Sequence, residues 1–316
     1  MKRIDFLKLG STLIASLAAG TGLAGVTKKN KLYPKKKAVL EGTLKKGYML
    51  DTFPNRDQYS TLEKFRMLRD AGFAGVEPAS GMPREEVLAA KEDTGLEIPS
   101  VCVSTHWDSP LSSPDAEVRN AGLNGVEVAL YDAQAYGASV ILLVPGVVNA
   151  DVSYDDVYRR SQQEIRKLVP LAEELGITIA IENVWNHFLL SPLEAARYVD
   201  EFNSPRVGWY FDIGNIMNYG WPEQWIEILG PRIAMIHIKE FSREKRNDKG
   251  MWEGFRVNYL EGDNNWPSIM AALQKAGYNG YGIAEPAYRP EEILPEVFLK
   301  EYVAERMDKI FEMGKL

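Results

Sequence analysis

From Gly47 onward, short apolar runs alternate with amphipathic stretches along the whole chain. The runs are Tyr48–Phe53, Gly75–Pro78, Pro99–Ser104, Val140–Pro145, Ile177–Asn183, Val207–Ile213, Ile233–Lys239 and Tyr281–Pro286. Most are rich in Val, Ile or aromatic residues and are too short for helices, so buried parallel strands are the better reading. Between them, Leu62, Phe65 and Leu68 share one helical face, as do Ile165, Leu168, Ala172 and Leu175. Glycines at 72, 137, 176 and 277 sit where a helix would close in the left-handed conformation before the next strand. Ser191-Pro192 reads as an N-cap followed by a proline in the first turn. Eight such strand–helix units predict an α/β fold, a closed (β/α)8 barrel over residues 47–316. An open doubly wound sheet fits less well, because no dinucleotide-binding glycine fingerprint follows the first run.

Charge changes the picture at the N-terminus. The chain has a net charge of -7, yet residues Met1 to Lys46 carry 11 Lys/Arg against 2 Asp/Glu. The remainder of the 37 basic and 44 acidic side chains therefore leaves the barrel at about -16, which repels a phosphate backbone and argues against nucleic-acid binding. Residues 1–26 read as an export signal, with Lys2, Arg3 and Lys8 ahead of a mildly apolar Ala-, Gly- and Ser-rich stretch. Lys2-Arg3 followed by Phe6-Leu7-Lys8 is similar to a twin-arginine signal with its first arginine replaced, so either export route fits. An uncleaved anchor is the alternative, weakened by the glycines and serines; with cleavage, a periplasmic protein without stable membrane association is expected. Residues 27–46 read as a basic, solvated linker. Cys102 is the single cysteine, which excludes a disulfide framework, a thiolate metal cluster and a lipid-anchored N-terminus.

In a barrel of this type the chemistry lies at the C-terminal ends of the strands. The fifth run ends Ala180-Ile181-Glu182-Asn183, the sixth Tyr210-Phe211-Asp212-Ile213, the seventh Ile236-His237-Ile238-Lys239 and the eighth Ala284-Glu285-Pro286. Each alone has an ordinary explanation. Glu182 could cap a helix, Asp212 and Glu285 could start turns, and His237 could be a satisfied core histidine. Together they place three carboxylates at one mouth, where mutual repulsion raises their pKa values unless a cation neutralises them. Glu182, Asp212, His237 and Glu285 are thus expected to hold one divalent metal ion. Three oxygen donors and one imidazole favour Mn²⁺, Mg²⁺ or Co²⁺, with Zn²⁺ after them.

At these residues the chain resembles the xylose isomerase-like TIM barrels, in particular the sugar phosphate isomerase/epimerase group that includes ketose 3-epimerases. The matching stretches are Ile181-Glu182-Asn183, Phe211-Asp212-Ile213-Gly214-Asn215, Ile236-His237-Ile238-Lys239-Glu240, Ala284-Glu285 and the turn Leu260-Glu261-Gly262-Asp263. The resemblance implies that the four residues bind the metal and that Glu182 and Glu285 also transfer protons. On that reading a metal bridging a ketose carbonyl and the adjacent hydroxyl acidifies the C–H between them through a cis-enediolate. Carboxylates on opposite faces then remove and return the proton.

Trp185 and His187 in the fifth loop, Lys239 on the His237 face of its strand, and Glu77 and His106 at the second and third strand ends are candidate sugar-binding groups, with loop packing or a supporting role as the plainer reading. The loop from Phe241 to Gly262 is a candidate lid whose Arg243, Lys245, Arg246 and Lys249 could meet a phosphate or simply be solvated. The expected function is a metal-dependent isomerase or epimerase of a ketose or keto-sugar. A dehydratase or lyase of a keto-sugar or keto-inositol on the same site is the alternative, and a non-catalytic carbohydrate-binding barrel stands further off. A multi-histidine endonuclease site is poorly matched by a chain with three His. The expected partner is a small-molecule sugar, and a homo-oligomer fits barrels of this kind.

Overall fold

The computed structural model describes Tyr33 and residues 44–315. The export signal read at residues 1–26 lies outside the described residues, as does the basic linker over 27–46 apart from Tyr33 and residues 44–46. Tyr33 is buried, and its hydroxyl donates to the Val207 carbonyl at 2.7 Å beneath the Arg232 guanidinium.

Eight parallel strands alternate with helices. The strands are β1 (Lys45–Met49), β2 (Gly75–Glu77), β3 (Ser100–Cys102), β4 (Val140–Leu143), β5 (Thr178–Glu182), β6 (Val207–Asp212), β7 (Ile233–Ile238) and β8 (Tyr281–Ala284). Their order around the sheet is β2-β1-β8-β7-β6-β5-β4-β3. The remaining gap between β2 and β3 is bridged at Gly75–Glu97 and Ala79–Cys102, with the Ser80 and Cys102 amides donating across it at 2.8 and 2.9 Å to Cys102 and Pro78. The barrel is therefore all but closed, as the eight-fold alternation predicts.

One boundary differs from the hydrophobic reading. The first strand is Lys45–Met49, and the run Tyr48–Phe53 turns off into a single 3₁₀ turn at Leu50. Two lysines can sit in a strand because their ammonium groups leave the sheet, Lys45 to Glu97 at 3.1 Å and Lys46 to Asp308 at 2.7 Å.

The connecting helices follow their start and stop signals. They are α1 (Thr61–Asp70), α2 (Arg84–Thr94), α3 (Ala116–Tyr136), α4 (Tyr154–Leu175), α5 (Pro192–Asp200), α6 (Ile213–Ile216), α7 (Pro222–Leu229), α8 (Arg243–Lys249), α9 (Trp266–Lys275), α10 (Pro295–Val297) and α11 (Glu305–Glu312). Ser60 and Glu63 close α1 with a reciprocal capping box. Gly72, Gly137, Gly176 and Gly277 all take positive φ, as helix-closing residues should. Pro192 does open α5, but the Ser191 side chain makes no capping bond, so the proline alone marks that start. Among the described residues no helix is long and apolar enough to cross a membrane.

Two apolar layers result from the strand period of two. One cluster lies between sheet and helices, with Ile179, Ile181, Trp209, Phe211, Ile236 and Ile238 facing outward. The other fills the lumen with Val140, Leu142, Ala180, Tyr210, Met235, Tyr281 and Ile283. Helix α3 packs closely on the segment after β3, where a Cβ on Gly122 would run into the Ser109 carbonyl oxygen and the Leu111 side chain. Gly122→Ala gains about 1 kcal/mol of helix propensity, but overpacking against fixed backbone costs about 1–3 kcal/mol. The variant is expected to melt below wild type, and a denaturant titration that finds it more stable would refute the close approach.

Candidate metal centre

The lumen layer sets the direction of the residues above it. Ala180, Tyr210, Met235 and Ile283 point inward, so Glu182, Asp212, His237 and Glu285, each two positions on, point inward as well. One ligand atom from each of these four side chains lies within 4.8 Å of all the others. His237 Nδ1 is 2.8 Å from Glu285 Oε2, 3.4 Å from Glu182 Oε1 and 3.9 Å from Asp212 Oδ2.

Local structure holds Asp212 and Glu285 in place. Asp212 caps the short α6, its Oδ1 accepting the Asn215 amide at 2.8 Å, which leaves Oδ2 turned to the centre. The α6 turn can lie against β7 only because residue 214 is glycine, since a Cβ there would sit 2.8 Å from Lys239 Cβ. Asn183 ties β5 to β6, its Oδ1 accepting from Trp209 Nε1 at 2.9 Å and the Asp212 amide at 3.1 Å while its Nδ2 donates to the Asp212 carbonyl at 2.7 Å. The Lys239 ammonium bridges Asp212 at 3.1 Å and Glu285 at 2.6 Å.

The electrostatics fit a cation. Burial pushes the Asp212 carboxyl well above its ordinary range, with Lys239 pulling down and Glu285 and Glu182 pushing up. Burial likewise raises Glu182, opposed by the His237 contact. Glu285 goes the other way: burial opposes its charge, but the Lys239 ammonium and His237 hold it well below the usual carboxylate range. Burial also opposes a charged His237, yet the carboxylates of Glu285, Glu182 and Glu77 drive it well upward.

A more direct sign is that His237 Nδ1 and Glu285 Oε2 are buried, face each other at 2.8 Å and have no hydrogen-bond partner in proper geometry. Lacking a hydrogen bond of proper geometry, both atoms are open to a cation shared with Glu182 and Asp212. Metal–ligand bonds of about 2.0–2.3 Å fit atoms spread over this distance. Three carboxylates and one imidazole thus fit a hard or borderline divalent cation.

The other sequence candidates separate. Lys239 shares the His237 face as expected, but its partners are Asp212 and Glu285, while Glu240 turns away to accept from Trp266 Nε1 and the Leu260 amide. Glu77 is not at the rim. It is fully buried, with His237 Nε2 3.1 Å from its Oε1. His106 is buried under the end of β4, its Nδ1 3.4 Å from the Val144 amide, and burial lowers it to about 4. Its ring contact is with Trp107. His187 is exposed on a left-handed backbone, φ 58°. Trp185 joins Phe241, Phe255 and Trp252 in an aromatic wall with ring centroids 4.9–6.2 Å from its own. Phe255 continues that wall to the Lys239 ammonium, 5.4 Å from its ring centre.

The lid segment is partly helical, and most of its basic residues are engaged with the backbone. Arg243 donates to the Met217 and Gly220 carbonyls, Arg246 to Asn218, and Lys245 to Arg256. The acidic turn lies outside the centre: Asp263 accepts the Arg243 amide at 2.5 Å and Glu261 pairs with Arg306. Ser100, Asn183, Tyr210 and Asn215 escape a search for carboxylates, imidazoles and ammonium groups at the strand ends. For Tyr210, the available signal is its place two residues before Asp212, on the same inward face.

A family model described as xylose isomerase-like TIM barrel matches residues 65–305. Two similar proteins are both L-ribulose-5-phosphate 3-epimerases UlaE. That of Salmonella paratyphi C (strain RKS4594) is 28% identical over 233 residues, covering 69% of this chain and 79% of the relative. That of Escherichia coli O1:K1 / APEC is 28% identical over 264 residues, covering 78% and 90%. Among solved structures, the 3-keto-D-glucoside 4-epimerase YcjR from E. coli superposes with a TM-score of 0.70 at 21% identity, over 84% of this chain and 99% of its own. An L-ribulose 3-epimerase superposes with a TM-score of 0.69 at 15% identity, over 86% and 95%. At these identities the two structures speak for the fold.

Proposed function

Because the chain belongs to the xylose isomerase-like TIM barrel family, we propose that it is a metal-dependent epimerase or isomerase of a ketose or keto-sugar. The observation that carries this reading is the convergence of Glu182, Asp212, His237 and Glu285 within 4.8 Å, with unpaired donor atoms facing inward. The names of the relatives, sugar 3-epimerases, support the reaction class.

A divalent cation held by these four residues would polarise a ketose carbonyl and acidify the neighbouring C–H. Glu182 ends β5 and Glu285 follows β8, three strands away, and on this reading the two carboxylates address opposite faces of the reacting carbon. One removes the proton and the other returns it from the opposite face, inverting the carbon. Lys239 keeps Glu285 ionised and oriented through its 2.6 Å bond. The aromatic wall of Phe255, Trp185 and Trp252 leads outward from Lys239 and offers rings against the apolar face of a sugar, with Trp252 65% exposed at its outer end.

The substrate we favour is unphosphorylated. Arg243, Lys245 and Arg246 are committed to carbonyls, and Arg256 lies by Glu253 and Tyr288. A periplasmic location, proposed from residues 1–26, agrees with that, because sugar phosphates are chiefly cytoplasmic.

The test is solvent deuterium incorporation across a panel of free and phosphorylated ketoses with metal-loaded protein. Label at one carbon, with its epimer formed, is the expected result. Loss of water detected by mass would move the assignment to a lyase, and no label on any sugar would sink the reading. Trp252→Ala should raise KM about 5-fold, the equivalent of about 1 kcal/mol of stacking, with kcat within about twofold. An unchanged KM would remove the wall from the sugar site.

A further inference from the structure

The end of β2 carries a carboxylate that the apolar lumen does not account for. Glu77 is fully buried, and among the described residues its ion-pair partner is His237, with no lysine or arginine in reach. A buried carboxylate without a cation costs several kcal/mol, roughly, unless hydrogen bonds compensate it. Here they do: Oε2 accepts the Tyr210 hydroxyl at 2.6 Å and the Ser100 hydroxyl, and Oε1 faces His237 Nε2 at 3.1 Å.

We infer that Glu77 is a positioning residue for the metal centre, holding the His237 proton on Nε2 so that the Nδ1 lone pair faces Glu182, Asp212 and Glu285. The inference rests on the metal-dependent reading above. A neutral imidazole has one donor nitrogen and one acceptor nitrogen, and whatever accepts from the first decides which one can bind a cation. Both nitrogens of His237 are buried, Nε2 on Glu77 and Nδ1 without a hydrogen-bond partner among the carboxylates. A proton on Nδ1 would block the only nitrogen donor of the set.

The Tyr210 ring also lies against the imidazole, with centroids 4.5 Å apart, while its hydroxyl holds Glu77. Face and edge of the His237 ring are thus both fixed. The brace comes from β2, β3 and β6, and the ligand it steadies is on β7. Outer partners of metal-binding histidines typically contribute 10–100-fold, roughly, to metal affinity.

The chain has three histidines, so its imidazole ¹⁵N–¹H spectrum is simple to assign with His106→Gln and His187→Gln, which remove the other two signals. In Mg²⁺-loaded wild type, His237 is expected neutral, with the proton on Nε2. Glu77→Gln should weaken Mg²⁺ and Mn²⁺ binding, measured by calorimetry, about 10–100-fold. Tyr210→Phe, which removes one bond to Glu77 and leaves its contact with the imidazole edge, should give a smaller loss of the same kind.

A purely structural Glu77 would lower the melting temperature of Glu77→Gln and leave its metal affinity intact below the melt; that result overturns the inference. So does a Mg²⁺-loaded wild-type His237 protonated on Nδ1, a measurement that needs no Glu77 variant. Wild type without affinity for any divalent ion would instead sink the metal-dependent reading itself, whereas wild type that binds and a variant that binds equally well would sink only the role of Glu77.

Discussion

Glu285→Gln is expected to lower turnover by about 10²–10⁴-fold in a barrel that still folds, the range that a positioned proton-transfer group supplies. The substitution keeps the volume but ends the charge, and Glu285 serves two partners at once, Lys239 at 2.6 Å and the His237 side of the centre at 2.8 Å. An amide there presents an N–H₂ to either the Lys239 ammonium or the cation, and both contacts are repulsive. Part of the loss will therefore be metal affinity, so the rate must be read at saturating metal, where the proton-transfer loss remains.

Glu182→Gln is the paired measurement. If each carboxylate serves one face of the reacting carbon, each variant should still exchange deuterium into one epimer while forming little of the other. A variant at either position that keeps wild-type turnover at saturating metal would refute the assignment.

Removal of divalent metal is expected to abolish activity and to lower the melting temperature, with both restored by adding back one equivalent. The physical reason is the crowding of three carboxylates against one Lys239 ammonium, which leaves the cage short of positive charge. Saturation at 100 times Kd contributes about 2.7 kcal/mol to the folded state. For a barrel of this size that is a rise of roughly 5 °C. Calorimetric scans with and without chelator, across Mn²⁺, Mg²⁺, Co²⁺ and Zn²⁺, would rank the metals at the same time. Full activity after exhaustive chelation would refute metal dependence.

The barrel and the four side chains that meet at its mouth were legible in the amino-acid sequence. Eight apolar runs with glycine stops leave few alternatives, because each run must be buried on both faces. A charge ending such a run, as Glu182, Asp212, His237 and Glu285 do, needs a shared reason to be there. The period of two then carries side-chain direction from the lumen residue to the donor two positions on, as from Tyr210 to Asp212.

That rule stops where the strand stops. It places Glu77 on the inward side with Gly75, but not its depth beneath His237, which follows from the stagger of strands around the closed barrel. Nor does it reach the loops. His187 turns outward, Trp185 inward, and Arg243 and Arg246 go to carbonyls of a segment distant in the chain while Lys245 takes the Arg256 carbonyl within its own loop. Local spacing cannot encode those choices, because each is settled by which backbone or ring happens to be adjacent once the barrel has closed.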